Sequence, residues 1–237
     1  TYSDVEVAFS DGEKVVLRKP NLSITNLNYG PMHPDTQLSA RIAPPMIGLG
    51  LLEAIPEETI QAMADPEDKN KDGISGKANR VWDVAANDYA LGRFGWKAGQ
   101  PNLMQQNAAA FNGDLGLTSA LFPNENCTSA QSICADLPHG GKPEVSEKIL
   151  NFVEFYSQHL AVPIRRNVKD PQVVLGQAKF VEAGCQSCHA VNIKTAKNDR
   201  LPALSVDGHT MPSCRKRDLV DWAAFYICDR RKVFIAV

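Results

Sequence analysis

Hydrophobic residues recur at two spacings along the chain, and each spacing predicts a different element. Polar and apolar residues alternate from Tyr2 to Phe9, a turn signal follows at 10–13, and three apolar residues resume at 15–17. Two short alternating runs around a glycine-containing turn predict a β-hairpin, because successive side chains of a strand point to opposite faces.

Helical spacing replaces this alternation over much of the remaining chain. In the clearest segment, 144–160, the apolar positions fall on one face of a helix, and Pro163 then ends the pattern. Other segments with helical spacing are 44–64, in which Pro56 opens a second short helix, 103–111 and 173–183. Long polar loops are predicted at 65–83 and 112–143. The sequence therefore predicts a mainly α chain with long loops and a small N-terminal hairpin.

A charged link at 165–170 indicates a domain boundary. We expect a first domain over residues 1–165 and a second over residues 166–237. A chain of 237 residues is long enough for two small domains.

Composition and charge exclude several classes of protein. Hydrophobic residues make up 43% and charged residues 22%, as in ordinary globular domains. The formal net charge of -2 argues against binding to nucleic acid or to an anionic membrane surface. No apolar run approaches the length of a transmembrane helix. Residues 1–4 do not resemble a signal peptide, so we expect that one was removed or that the natural chain starts upstream.

Two of the six cysteines carry the strongest chemical signal. Cys185 and Cys188 are followed directly by His189, in the Cys-x-x-Cys-His pattern of c-type haem attachment. Two thiols at this spacing can form thioethers with the vinyl groups of one haem, and the adjacent imidazole can bind the iron. Gly176 and Phe180, four residues apart, suit a cytochrome c-type helix that packs closely on another helix. The pattern predicts covalent haem c in a cytochrome c-like helical haem domain.

Other uses of the cysteines are weaker. A thioredoxin-type pair follows an apolar strand, whereas the residues before Cys185 have helical spacing. A zinc site needs a second ligand pair, and only scattered residues are available: His209, Cys214 and Cys228. Cys127 and Cys134 lie in a polar loop and favour a short disulfide, which an oxidising compartment would preserve.

A second signal lies in the first long loop. Asp68, Asn70 and Asp72 place oxygen-bearing side chains at alternate positions before a glycine, as in loops that wrap Ca²⁺. The carbonyl of Ile74 would be a fourth ligand. Asn79 stands where an EF-hand has its last glutamate, and no helix pair is predicted around the loop. The alternative is a solvated turn rich in Asp and Asn.

Longer stretches extend the signal beyond these motifs: 41–56, 72–76, 92–98, 113–119, 155–163 and the haem motif itself. Together they resemble the bacterial di-haem oxidoreductase family, whose members are relatives of the di-haem cytochrome c peroxidases and are also labelled thiol oxidoreductases. The resemblance covers roughly residues 1–206. Two departures indicate a partial chain: family members carry an earlier haem domain with its own motif, and the ending at 209–237 does not look like the family.

The resemblance implies roles for residues that spacing alone does not assign. Trp96 would relay electrons between haems, and the alternative is a buried core indole. The tail around Met211 resembles the end of a small class I cytochrome c, so the sixth iron ligand would be Met211 or, less favoured, His209. Otherwise, water or a group outside this sequence would take that position. The remaining histidines have no partner pattern and are not expected to bind iron: His33, His139 and His159, the last interpreted as a solvated or capping residue.

The sequence thus predicts a periplasmic, haem-dependent oxidoreductase with peroxidase-like chemistry. Its partners would be a redox protein or a second haem domain, and a small oxidant such as peroxide would be its substrate. Residues 1–165 would form the scaffold of a second haem domain. One alternative is a single-haem electron carrier without substrate turnover, and another is an inactive truncated product with an unfilled haem pocket.

Overall fold

The computed structural model describes residues 1–163, 166–190, 193–195, 227–229 and 232–234. The strands are β1 (Tyr2–Ala8), β2 (Lys14–Pro20), β3 (Gly76–Lys77), β4 (Arg80–Asp83), β5 (Asp88–Leu91), β6 (Ile227–Asp229) and β7 (Lys232–Phe234). The α-helices are α1 (Leu49–Glu53), α2 (Glu57–Ala62), α3 (Leu103–Leu115), α4 (Glu147–His159) and α5 (Pro171–Glu182). Short 3₁₀ turns occupy Cys134–Asp136 and Cys185–Ser187.

The chain divides into two units, and the first comprises residues 1–43 and 127–134. The predicted hairpin is present here, because β1 pairs antiparallel with β2 and places Val5 opposite Leu17. No residue of 1–43 is buried. A disulfide joins Cys127 to Cys134 within the same unit.

The second unit comprises residues 44–126 and 135–237. Its described residues form two small hydrophobic clusters, one of Ile55, Ile60 and Leu91 and the other of Ala108, Val145 and Leu150. Helix α4 packs against α3 and α1. Gly50 of α1 lies so close to α4 that a Cβ atom there would collide with the backbone of Gln158. These helices form the scaffold of the second unit.

The prediction of a mainly α, cytochrome c-like fold was wrong. Helices account for only 28% of the structure and strands for 14%. Within 44–64, Pro56 opens a second short helix as predicted, and the two helices have five and six residues, because proline cannot continue the first helix but can start the next. Residues of the loop predicted over 65–83 also form strands, namely β3 and β4.

A second hairpin pairs β4, at the end of the loop predicted over 65–83, with β5. Trp82 faces Tyr89 across the pair, and their rings meet edge to face at 5.3 Å. The Asp83 carboxylate accepts the N–H groups of Ala85 and Ala86 and thereby closes the turn. Strand β7 pairs in parallel with β3 and antiparallel with β6.

The boundary predicted after residue 165 falls at a position outside the described residues. The division into domains over 1–165 and 166–237 therefore stays a prediction.

Candidate functional site

Helix α5 leads directly into the Cys-x-x-Cys-His motif. The carboxylate of Asp170 caps its first turn by accepting the N–H of Gln172 at 2.8 Å, and Pro171 occupies a first-turn position that needs no N–H. Gly184 ends the helix with a φ of +72°, and its N–H donates to the carbonyl of Val181. Glycine suits this position because a side chain would be strained at positive φ.

The motif folds into a single 3₁₀ turn immediately after Gly184. The N–H of Cys188 and the N–H of His189 both donate to the carbonyl of Cys185, at 3.2 and 2.9 Å. The two cysteines are half-buried thiols, and His189 is also half-buried. The turn therefore presents two sulfur atoms and one imidazole within five residues.

The side chains around the motif are those expected beside a large apolar group. Phe180, in the last turn of α5, contacts His189 with ring centroids 5.8 Å apart. No residue of α5 is buried, and Val174 and Leu175 are 54% and 57% exposed. Soluble helices normally cover such residues. The donor set and this uncovered apolar surface both fit a haem, whose macrocycle is apolar and whose iron takes an imidazole.

Within the described residues, no three His, Cys, Asp or Glu side chains group together as ligands of a metal ion. A haem held by thioethers needs only one ligand from this motif, His189, because the two sulfur atoms bond to the porphyrin edge. The zinc interpretation relied on His209 and Cys214, which lie outside the described residues, and on Cys228, whose side chain is not described.

The predicted calcium loop is an ordered network of Asp and Asn side chains. Asp68 accepts the N–H groups of Asp72 and Gly73, and Asp72 accepts that of Ile74 at 2.9 Å. Asn70 donates to Asp72 at 3.0 Å. The structure thus brings these side chains together through hydrogen bonds within the loop.

Asp65 anchors the start of this loop and was missed by the sequence interpretation. Its two carboxylate oxygens accept the N–H groups of Lys69 and Asn70, at 2.9 and 3.2 Å. The hydrogen bond from Lys69 is the main reason why the pKa of Asp65 lies below its ordinary value. The only sequence signal was its position just before the alternating oxygen pattern.

A polar network also fixes the scaffold of the second unit. Glu53 accepts the N–H of Leu103 and the side-chain amide of buried Gln158, each at 2.9 Å. The Arg93 guanidinium donates to the carbonyls of Leu52 and Ile55 at the end of α1. Burial lowers the pKa of Arg93, while nearby glutamates, Glu53 among them, oppose that shift. Sequence spacing gave no sign of these contacts.

The other predicted site residues have different outcomes. Trp96 is half-buried, and its proposed role as an electron relay stays a prediction. Met211 and His209 lie outside the described residues. His159 is not fully solvated: its Nδ1 lies 2.7 Å from the carbonyl of Phe155, and its buried Nε2 has no hydrogen-bond partner among the described residues.

The described part of the chain contains no helix with the length and apolarity needed to cross a bilayer. The sequence model of one protein family, described as "Di-haem oxidoreductase, putative peroxidase", matches residues 1–203 and so includes the Cys-x-x-Cys-His turn. Searches of curated proteins and of solved structures found no significant match.

Proposed function

This chain belongs to the di-haem oxidoreductase, putative peroxidase family, and on that premise we propose that it is a c-type haem oxidoreductase of the periplasm. Membership implies a haem cofactor. We further propose that the haem is attached covalently and that the protein works in the periplasm. The observation that supports both proposals is the short turn after the glycine-terminated helix α5, which brings Cys185, Cys188 and His189 together.

Each residue of the motif would have a separate role. The thiols of Cys185 and Cys188 would each add across one vinyl group, forming a carbon–sulfur bond while the thiol hydrogen goes to the other vinyl carbon. His189 would bind the iron through a ring nitrogen, and the thioethers would hold the haem in place. The bound haem would supply one-electron storage and transfer. The apolar side of α5 would exclude water and so raise the reduction potential.

Peroxidase-type chemistry is proposed for the intact family member. Reduction of one peroxide to two water molecules consumes two electrons and two protons, so two redox centres can supply the electrons together. Trp96 would relay electrons between such centres. A redox partner protein would replace the electrons consumed.

A single-haem electron carrier is the second candidate, because the motif of Cys185, Cys188 and His189 can by itself hold one haem. The two candidates differ at the sixth iron position. A high-spin ferric spectrum that changes on addition of cyanide or peroxide would support the enzyme. A low-spin spectrum whose methionine–iron band disappears in Met211→Ala would support the carrier.

Haem attachment is tested by expressing the chain with a periplasmic c-type maturation system. We expect coloured protein whose mass exceeds that of the polypeptide by one haem, and loss of the covalent haem in the double variant Cys185→Ala/Cys188→Ala. The matched control is Cys127→Ser/Cys134→Ser, which removes two cysteines from the disulfide and should retain the haem. Colourless wild-type protein with the mass of the bare polypeptide would refute the proposal.

Calcium binding at Asp68, Asn70, Asp72 and the Ile74 carbonyl stays a prediction. If Ca²⁺ binds there, it stabilises the folded state, so the melting temperature should rise with Ca²⁺ and not with Mg²⁺ at equal concentration. Asp72→Asn should remove most of that rise. An unchanged melting temperature would favour the solvated-turn interpretation.

A further inference from the structure

Phe180 and His189 are nine positions apart in sequence but in contact in the structure. The contact exists because the left-handed residue Gly184 ends α5 and the 3₁₀ turn reverses the chain. The turn's hydrogen bonds to the Cys185 carbonyl then place the imidazole of His189 beside the last turn of the helix.

The geometry of this contact is that of a favourable aromatic pair. The ring centroids of Phe180 and His189 lie 5.8 Å apart with an interplanar angle of 61°, an edge-to-face arrangement. Phe180 is half-buried, unlike most of α5, whose residues are largely exposed. The ring of Phe180 therefore lies against the imidazole, while neighbouring apolar residues such as Leu175 remain exposed.

We propose that Phe180 is a positioning residue: its ring sets the rotation of the His189 imidazole about the bond to iron. The inference rests on the proposed function, because it presupposes haem at Cys185 and Cys188. The thioethers fix where the porphyrin sits, and the peptide turn fixes the Cα of His189. The plane of the imidazole is a separate degree of freedom, and the ring of Phe180 lies against it. An edge-to-face neighbour biases this rotation by roughly 2- to 10-fold.

The orientation of the imidazole matters because the protein can adjust it, and with it the properties of the iron, without changing the ligand. Groups that orient a metal-bound histidine tune the metal as well as hold it. Phe180 also covers one side of His189, and burial around a haem ligand influences the reduction potential. Removing the ring should therefore change the orientation and the potential together.

The test uses the ferric holoprotein with excess cyanide, so that the sixth ligand is the same in every variant. The hyperfine-shifted ring-methyl signals of the haem then report the plane of the proximal imidazole. We expect one set of signals for wild type, and a second set or a compressed spread for Phe180→Leu, with a lower reduction potential. Phe180→Tyr keeps the ring and should restore the wild-type pattern.

Phe152→Leu is the matched control, because Phe152 is an exposed phenylalanine on α4 and makes no contact with His189 among those described. It should leave the methyl signals unchanged. Phe180→Met, which retains apolar bulk without a ring, serves if Phe180→Leu fails to fold or to take up haem, and it should show the same altered signals.

The outcomes separate the two proposals. Wild-type protein without covalent haem refutes the proposed function and this inference with it. Haem-bearing Phe180→Leu or Phe180→Met with wild-type methyl signals and potential refutes the inference alone. Equal changes in Phe152→Leu and Phe180→Leu would also refute it, because they would reflect a general loss of packing.

Discussion

Helices α4 and α5 are nearly equal in length but differ in how the protein holds them. Both begin with a side-chain cap, from Ser146 and Asp170 respectively. Helix α4 exposes some aromatic residues, yet its inner face buries Leu150, Ser157 and Gln158. Helix α5 buries none of its residues.

The difference teaches that the two helices depend on different partners. Helix α4 is stabilised by α1 and α3 of the same chain, through apolar packing and the Glu53 network. Helix α5 is held by local hydrogen bonds, such as the Asp170 cap, and by the contact between Phe180 and His189. If haem binds at Cys185 and Cys188, then its binding energy also stabilises α5, because a ligand that binds only the folded state shifts the folding equilibrium.

The sharpest test replaces one leucine in each helix. Leu150 is 3% exposed and packs with Ala108 and Val145, so Leu150→Ala should lower the free energy of unfolding by about 2–5 kcal/mol. Leu175 is 57% exposed, and Leu175→Ala should change it by less than about 0.5 kcal/mol in protein without haem. Urea unfolding measures both. Equal losses would contradict the proposed difference between the helices.

Loss of the polar network should have the next largest effect. Glu53→Ala leaves the N–H of Leu103 and the buried amide of Gln158 without their acceptor, which should lower the stability of the second unit by about 1–3 kcal/mol. Glu58→Ala, an exposed glutamate on α2, is the control and should have little effect. Thermal and urea unfolding would reveal the difference, and comparable losses in both variants would count against the network.

The helix caps distinguish local from global stability. Ser146→Ala should lower the free energy of unfolding by about 1 kcal/mol, because α4 unfolds together with the scaffold. Asp170→Ala removes an equivalent cap from α5 and should instead speed hydrogen exchange within α5, with little change in global unfolding. Hydrogen exchange and urea unfolding together provide the measurement. Global destabilisation by Asp170→Ala would show that α5 is coupled to the scaffold.

The smallest effect expected is a change in acid stability. The N–H groups of Thr118 and Gly140 donate to Glu144 and hold its pKa below the ordinary value of 4.5. A lowered pKa in the folded state adds stability above pH 4.5 that is lost as the pH falls through the folded-state value. Glu144→Gln should flatten the acid side of the curve of melting temperature against pH. An unchanged acid side would show that other groups, such as Asp65, dominate.

Local patterns were the part of the structure that the sequence could predict. The N-terminal hairpin follows from alternation between Tyr2 and Leu17, whereas haem attachment at Cys185, Cys188 and His189 stays a prediction. The mainly α prediction was wrong because short strands such as β4 and β5 carry too few residues to show a clear period.

Contacts between distant residues could not be predicted in the same way. Glu53 and Gln158 are 105 positions apart, and no local pattern links them. The ring contact between Phe180 and His189 required the backbone conformation of Gly184, which a motif of residue types does not specify. The site was therefore predicted as a set of reactive groups, while their orientation came from the structure.

The positive φ of Gly184 also makes the link between helix and motif sensitive to length. Each residue of an α-helix advances the direction of the side chains by about 100°. Adding or deleting one residue between Phe180 and Gly184 would turn the thiols and the imidazole to another side of the helix, whereas an insertion in the 112–143 loop would not. The number of residues between Phe180 and Gly184 therefore sets the side of the helix to which the Cys-x-x-Cys-His motif points.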